Sequence, residues 1–397
     1  MTDFKRLYTS LHSLTVFRSL LKDTVIEALG DYLSMRADGG ISSSIDRYCE
    51  FVSRLFSAHS CNLTRYISEL VYNDENVYIL SAASHKPVPK QICEAVRAEL
   101  SVLQEIAELS PAALQEGLEW SGFLPNYEVE SINIAEVYTH RAENIEKYGY
   151  GIYARYHMFY LGSESRIIPV KNPDTIRLSD LVDYKREQKI IIDNTRALLA
   201  GKPAANILLT GDAGTGKSST VKAVVNELYG EGLRILEVRK EQLHSLPAIL
   251  DALAVNPLKF IIFIDDLSFQ SDDDNFGALK AILEGSVSAR SENVVIYATG
   301  NRRHLIKEKF SDRDGDDIHR NDTMQELLSL SERFGIQITF ERPDKQTYLD
   351  IVHSLALQSG ITPDDELDAA AERFVLGRGN RSARAARQFI DGILAKQ

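Results

Sequence analysis

The stretch ILLTGDAGTGKSSTVKAVV, residues 207–225, decides how the chain is read. It opens apolar, passes through three glycines, and closes on Lys-Ser-Ser and a helical pattern. Glycine loses more backbone freedom on ordering than any other residue, so its use between a buried strand and a helix needs a compensating gain. The spacing supplies one: Gly211, four residues, then Gly216, Lys217 and Ser218. Glycines let successive backbone N–H groups turn inward and approach a phosphate closely. A helix beginning near Lys217 aims its unpaired N–H groups and the positive end of its dipole at the same point. In such a loop Lys217 reaches the β- and γ-phosphates, and the Ser218 hydroxyl binds Mg2+. The context this requires is a strand over 207–210 and a helix over 217–229, and the pattern predicts both.

Composition frames the rest. A chain of 397 residues has room for two or three domains, and 44% hydrophobic with 26% charged residues is ordinary for a soluble protein. No apolar run approaches a membrane-spanning length, and the opening MTDFKRLYTSLHSL has no signal-peptide core. Cys49, Cys61 and Cys93 form no CxxC pair and no metal-ligand spacing, which points to a reducing cytoplasm. A net charge of −12 argues against nonspecific nucleic-acid binding by the whole surface, though not against a local basic groove.

The chain divides near residue 165. Before it, apolar residues recur at helical spacing: Val16, Leu20, Leu21, Val25, Leu29 and Leu33, then Ile45, Tyr48, Val52, Leu55 and Phe56, then Ile92, Val96, Leu100 and Leu103. Pro89 and Pro111 stand at helix starts. Residues 1–165 therefore read as a mostly helical domain without a catalytic motif. Its last part, YGYGIYARYHMFYLG (148–162), has two readings: a stacking platform for single-stranded nucleic acid, or a β-rich hinge whose rings pack against the next domain. The second is favoured, because buried aromatics are the commoner case.

From 166 to 342 strands and helices alternate. A helix over 181–199 precedes the strand at Ile207, and four more strands follow: LRILEV (233–238), FIIFIDDL (260–267), NVVIYAT (293–299) and IQITF (336–340). The continuous apolar run of FIIFI is that of a central parallel strand buried on both faces. The fold class is α/β, with a five-stranded parallel sheet. Residues 343–397 return to helix in three segments, 345–358, 364–376 and 381–395.

Asp265 and Asp266 emerge where the FIIFI strand ends, the place where open parallel sheets bind ligands. Asp265 would hold Mg2+, and Asp266 would orient or deprotonate an attacking water. An aspartate pair after a strand can also be a plain helix cap. Downstream of a phosphate loop, the functional reading is preferred. YATGNRRHL ends the next strand with Thr299 and Asn301 beside the two acids. LSLSERFG puts Arg333 just before the fifth strand, and GRGNRSARAARQF sets Arg378, Arg381, Arg384 and Arg387 around the last helix. Arg384 and Arg387 are three apart and share a face.

Taken together, LSDLVDYKREQ, GDAGTGKSSTVKA, FIIFIDDLSF, YATGNRRHL, LSLSERFG and RSARAARQFID resemble the AAA+ ATPases, from residue 176 to the end. Within them the chain looks most like the bacterial family called domain of unknown function 815. The resemblance implies that Gly211, Asp212, Ala213, Gly214, Thr215, Gly216, Lys217, Ser218 and Ser219 form the Walker A loop that holds ATP. It implies Walker B at Asp265 and Asp266, a sensor-1 residue at Asn301, an arginine finger at Arg333 and a sensor-2 arginine at Arg384. Residues 181–184, with Val182 and Tyr184, resemble the segment that covers adenine, and 343–397 the helical lid. Asp266 stands where most AAA+ proteins carry Glu; IDDLSF is closer to the replication-initiator and helicase-loader branch.

The expectation is a cytoplasmic, homo-oligomeric AAA+ ATPase that hydrolyses ATP with Mg2+ at a site shared between subunits. Its helical N-terminal domain would select a protein or nucleic-acid client. The alternative is an ATP-gated adaptor or loader for DNA or a replication protein, with little turnover. A small-molecule P-loop kinase is disfavoured by the paired carboxylates and by Arg333. The charge-dense segment 302–330 is read as a solvated loop, or else as a pore- or partner-facing insertion.

Overall fold

The computed structural model describes residues 2–39, 41–267, 274–284, 292–300, 332–377 and 381–395. The chain forms two compact units, Met1–Arg155 and Tyr156–Gln397.

Among the described residues the regular elements of the first unit are all helices, apart from one isolated bridge between Asn62 and Glu128. The apolar repeat beginning at Val16 is not one helix. Asp23 breaks it, accepting hydrogen bonds from the Val25 and Ile26 amides, so a short 3-10 turn (Arg18–Lys22) precedes the helix Thr24–Ala37. The repeats through Tyr48 and Leu100 form the helices Ile41–Ser57 and Lys90–Ala107. Pro89 caps the latter, and Pro111 opens the helix Pro111–Gln115. Their inward faces meet in one core around Phe17, Leu29, Tyr32, Tyr48, Phe51 and Leu103. The Glu99 carboxylate is buried in that unit and accepts from the backbone N–H groups of Thr15, Val16 and Phe17 and from the Thr15 hydroxyl.

The second unit is built on a seven-stranded sheet. Its strands are β1 (Met158–Leu161), β2 (Ile167–Pro169), β3 (Ile207–Gly211), β4 (Leu233–Glu237), β5 (Lys259–Ile264), β6 (Val294–Gly300) and β7 (Ile336–Phe340). The order is β2-β1-β4-β5-β6-β3-β7. The last five in chain order are the strands expected from sequence, and they pair in parallel. The expected count of five falls short by a hairpin: β1 adds in parallel to β4, and β2 folds back antiparallel on β1. The first strand of that hairpin comes from the tyrosine-rich stretch, and both its strands fall in the unit that begins at Tyr156. Met158, Phe159 and Leu161 are buried in the unit's core while Tyr160 faces outward.

The helix expected over 181–199 starts later, at Lys185–Leu199, because Tyr184 adopts a left-handed backbone (φ +66°) that no helix interior accepts. The 181–184 stretch is left as a non-helical strap. Beyond β7, the helices Lys345–Gln358, Asp365–Leu376 and Ala383–Leu394 close around a small core of their own, with Tyr348, Val352, Ala371 and Phe389 inside. Among the described residues no helix is long and apolar enough to cross a membrane.

Candidate nucleotide site

The glycine-rich loop follows β3, which lies between β6 and β7. Two of its glycines are required by close approach. Gly211 pairs with Phe340 of β7 at φ +149°, and a Cβ there would meet the Phe340 carbonyl oxygen at 2.3 Å. Gly214 has φ +82°, and a Cβ would press on Arg384 Cβ and Ser382 Oγ at 3.1 and 3.2 Å. The loop is tied down from within: Thr215 Oγ1 donates to the Asp212 carbonyl at 2.9 Å, and the helix Lys217–Leu228 begins directly after Gly216.

Lys217 is buried, at 7% exposure, and its Nζ donates to the carbonyls of Gly211 (2.9 Å) and Asp212 (2.8 Å). An ammonium has three donors, so one is left to reach outward. Burial pushes its pKa below the usual lysine value; Asp265, Asp212 and Asp266 pull it back up, and Arg384 adds to the lowering.

The acids arrive from the other side of β6. The β5/β6 register pairs Ile264 with Ala298, so Asp265 leaves the sheet beside Thr299. Asp265 Oδ1 accepts from Ser218 Oγ and from Thr299 Oγ1, both at 2.6 Å. Thr299 Oγ1 in turn accepts the Asp266 amide at 2.9 Å, and the Thr299 carbonyl accepts the Leu267 amide at 2.7 Å. Asp266 itself is left-handed (φ +54°), a conformation Asp tolerates better than most residues. Thr299, 2% exposed, thus joins the two acids. Asn301 lies outside the described residues, as do the 302–330 segment and Arg378.

Beside the loop lies a cleft of about 290 Å³, lined by Val182, Tyr184, Gln188, Ile351, Leu355 and Arg384, among others, and by the loop residues from Gly214 to Thr220. The strap bridges its two walls. Val182 packs on the core of the C-terminal helices, and Tyr184 packs on the core of the sheet. Arg384 and Arg387 both face the cleft, and the Arg384 amide donates to the Gly214 carbonyl at 3.3 Å.

Arg333 is elsewhere. Parallel pairing sets Ile207 opposite Ile336 and Gly211 opposite Phe340. The glycine-rich loop therefore leaves one end of β3, and Arg333 enters at the opposite end of β7. At roughly 3.3 Å per residue the strand alone separates these levels by about 13 Å.

The family model described as "Protein of unknown function (DUF815)" matches residues 154–397. The chain belongs to the DUF815 family. No curated protein matches it. Among solved structures it is similar to that of C. elegans PCH-2, at 18% identity with a TM-score of 0.39, over 55% of this chain and 65% of that one. The DUF815 match begins two residues before the unit that holds the β1–β2 hairpin, so β1 and β2 lie inside the family's segment.

In this DUF815 chain the donor set suits a hard divalent cation. Among the described residues no cluster of three or more His, Cys, Asp or Glu could hold a metal alone. A hydroxyl and a carboxylate side by side are what Mg2+ takes when phosphates and water complete its shell. Ser218 and Asp265 would supply them. The sequence already set Thr299 beside the two acids, but two residues that position the strap and the loop were not singled out in it. Gln188, 4% exposed, donates to the Asp183 carbonyl at 2.8 Å and pins the strap. Arg342 bonds Asp212 of the loop through Nε (3.0 Å) and Nη2 (2.9 Å). Its only sequence signal is a basic residue after a strand, which says nothing until β7 is known to lie beside β3.

Proposed function

We propose that this protein is an AAA+ ATPase that binds and hydrolyses ATP with Mg2+ to remodel or load a macromolecular client. The observation that carries this is the convergence of Lys217, Ser218, Asp265 and Thr299 at one end of the sheet, next to a cleft walled by the strap and Arg384. Backbone N–H groups after Gly211 and the Lys217 ammonium would bind phosphates. Ser218 and Asp265 would hold the metal, which when bound neutralises charge developing on the transferred phosphoryl group. Asp266 would orient the attacking water, with Thr299 fixing its backbone. Val182 and Tyr184 would cover the base, and Arg384 would join the phosphates to the C-terminal helices, acting as a lid.

Arg333 supports a site shared between copies. It enters at the far end of β7, out of reach of its own loop, and would complete a neighbour's site in a homo-oligomer. The same placement favours slow turnover by a lone chain, which keeps alive the second reading of an ATP-gated adaptor. The helical unit would choose the client, protein or nucleic acid, in the cytoplasm.

The test is phosphate release from ATP, with Mg2+ and with chelator, over a range of protein concentrations. Asp266→Asn should still bind ATP but lose roughly a hundredfold in turnover, the scale of a general base. Turnover that survives in Asp266→Asn would remove it from the water-positioning role. Binding without concentration-dependent turnover would leave the adaptor.

A further inference from the structure

The Asp212–Arg342 pair has no role in the chemistry described above. Asp212 is the second residue of the phosphate loop, directly after Gly211, and its side chain is 27% exposed. A fixed negative charge there sits on the residue whose carbonyl holds Lys217 Nζ at 2.8 Å, and the approach of a polyanion to like charge costs affinity. Arg342 takes up that charge, with two nitrogens on the same oxygen, Oδ2. Arg342 is not on the loop. It lies two residues past β7, in the four-residue connection that ends at Asp344, the cap of the Lys345–Gln358 helix. The neighbouring residues tie this connection to the strap: the Tyr184 hydroxyl donates to the Glu341 carbonyl, and the Tyr184 ring packs on Phe340 at 4.7 Å.

We propose that Asp212 and Arg342 form an electrostatic latch, in which the Asp212 carboxylate opposes the nucleotide phosphates and its pairing with Arg342 offsets that opposition. Asp212 weakens nucleotide binding. Arg342, a positioning residue acting through Asp212, relieves that weakening. The pair also ties the charge of the loop to the short connection that carries the C-terminal helices. This rests on the nucleotide-site reading and goes beyond it by making one loop residue opposed to the ligand.

A latch and a structural tie predict opposite signs. If the pair only holds the loop in shape, Asp212→Asn and Arg342→Gln both weaken binding, and the double variant is no worse than either. If it is a latch, Asp212→Asn should bind Mg-ATP about fivefold tighter and Arg342→Gln about fivefold weaker, with the double variant near wild type, since one charge is removed on each side of a partly screened site. Arg342→Lys, which keeps the charge, should recover most of the affinity lost in Arg342→Gln, and the shifts should shrink in high salt. Calorimetric titration of the full chain with Mg-ATP reads all four. Weakened or unchanged affinity in Asp212→Asn overturns the latch. If wild type binds and Lys217→Met does not, that failure leaves the nucleotide site standing. If wild type itself binds no Mg-ATP, site and latch fall together.

Discussion

Lys217 offers the sharpest test of the site, and its burial dictates the substitution. A loop lysine expected to be exposed could be cut to alanine without harm to packing; at 7% exposure the stem is part of the core, and alanine would leave a hole. Methionine keeps the stem and removes the charge. In the free protein this substitution leaves the Gly211 and Asp212 carbonyls without their donor, at about 1 kcal/mol each, but also removes a desolvated ammonium, so the net cost to folding is small. In the nucleotide complex it removes one charge-assisted bond, worth about 2 kcal/mol, or roughly thirtyfold in Kd. Proton uptake gives a second readout. Burial lowers the Lys217 pKa in the free protein, and bound phosphate would raise it again. At a pH between those two values the free lysine is partly neutral and the bound one charged, so binding takes up protons. At such a pH, titrations in two buffers of different ionisation heat should give different apparent enthalpies for wild type and equal ones for Lys217→Met. A folded Lys217→Met that binds Mg-ATP within twofold of wild type would refute the assignment of this loop.

Thr299→Val keeps the shape but deletes the hydroxyl that joins both acids; turnover should fall about tenfold or more, while Thr299→Ser restores it, since the bond donated to Asp265 and the bond accepted from the Asp266 amide need only the hydroxyl. Arg333→Ala should bind ATP nearly normally and be almost inactive, and mixing it with Lys217→Met should recover activity, because one copy keeps the pocket and the other the guanidinium, a group worth ~10³–10⁵ in rate; phosphate release in the mixture measures this. Glu99→Gln should lower exchange protection of the Thr15, Val16 and Phe17 amides roughly thirtyfold at neutral pH, the equivalent of about 2 kcal/mol. Burial alone would raise the Glu99 pKa, but the bonds from Phe17, Thr15 and Val16 outweigh it and hold it below its ordinary 4.5. With the folded value depressed, the stabilisation is complete above 4.5 and is lost as pH falls through the lowered value. The gap between wild type and Glu99→Gln should therefore close in acid; a gap independent of pH would remove the charge from the explanation.

The parts of this molecule that declare themselves in sequence are those set by local physics. β5 is legible because a strand buried on both faces must be apolar along its length, and the loop after β3 because only glycine fits beside Phe340 and Arg384. β1 is not legible. Met158–Leu161 alternates poorly amid tyrosines, and its strand character comes from the open edge of β4, which no local pattern announces. Tyr184 escapes for a related reason: a helical apolar rhythm runs through it, and its left-handed turn is held from afar by Phe340 and the Glu341 carbonyl. Arg333 shows the limit most plainly. Its position just before a strand can be read from sequence, but the end of the sheet to which that corresponds depends on the direction of the strand. Were β7 antiparallel to β3, the same arginine would stand beside its own phosphate loop and the site could be complete in one chain. The parallel register, Ile207 with Ile336 and Gly211 with Phe340, puts it at the other end. A pairing of backbone amides is thus what turns one arginine from a candidate partner of its own nucleotide into a candidate partner of a neighbour's.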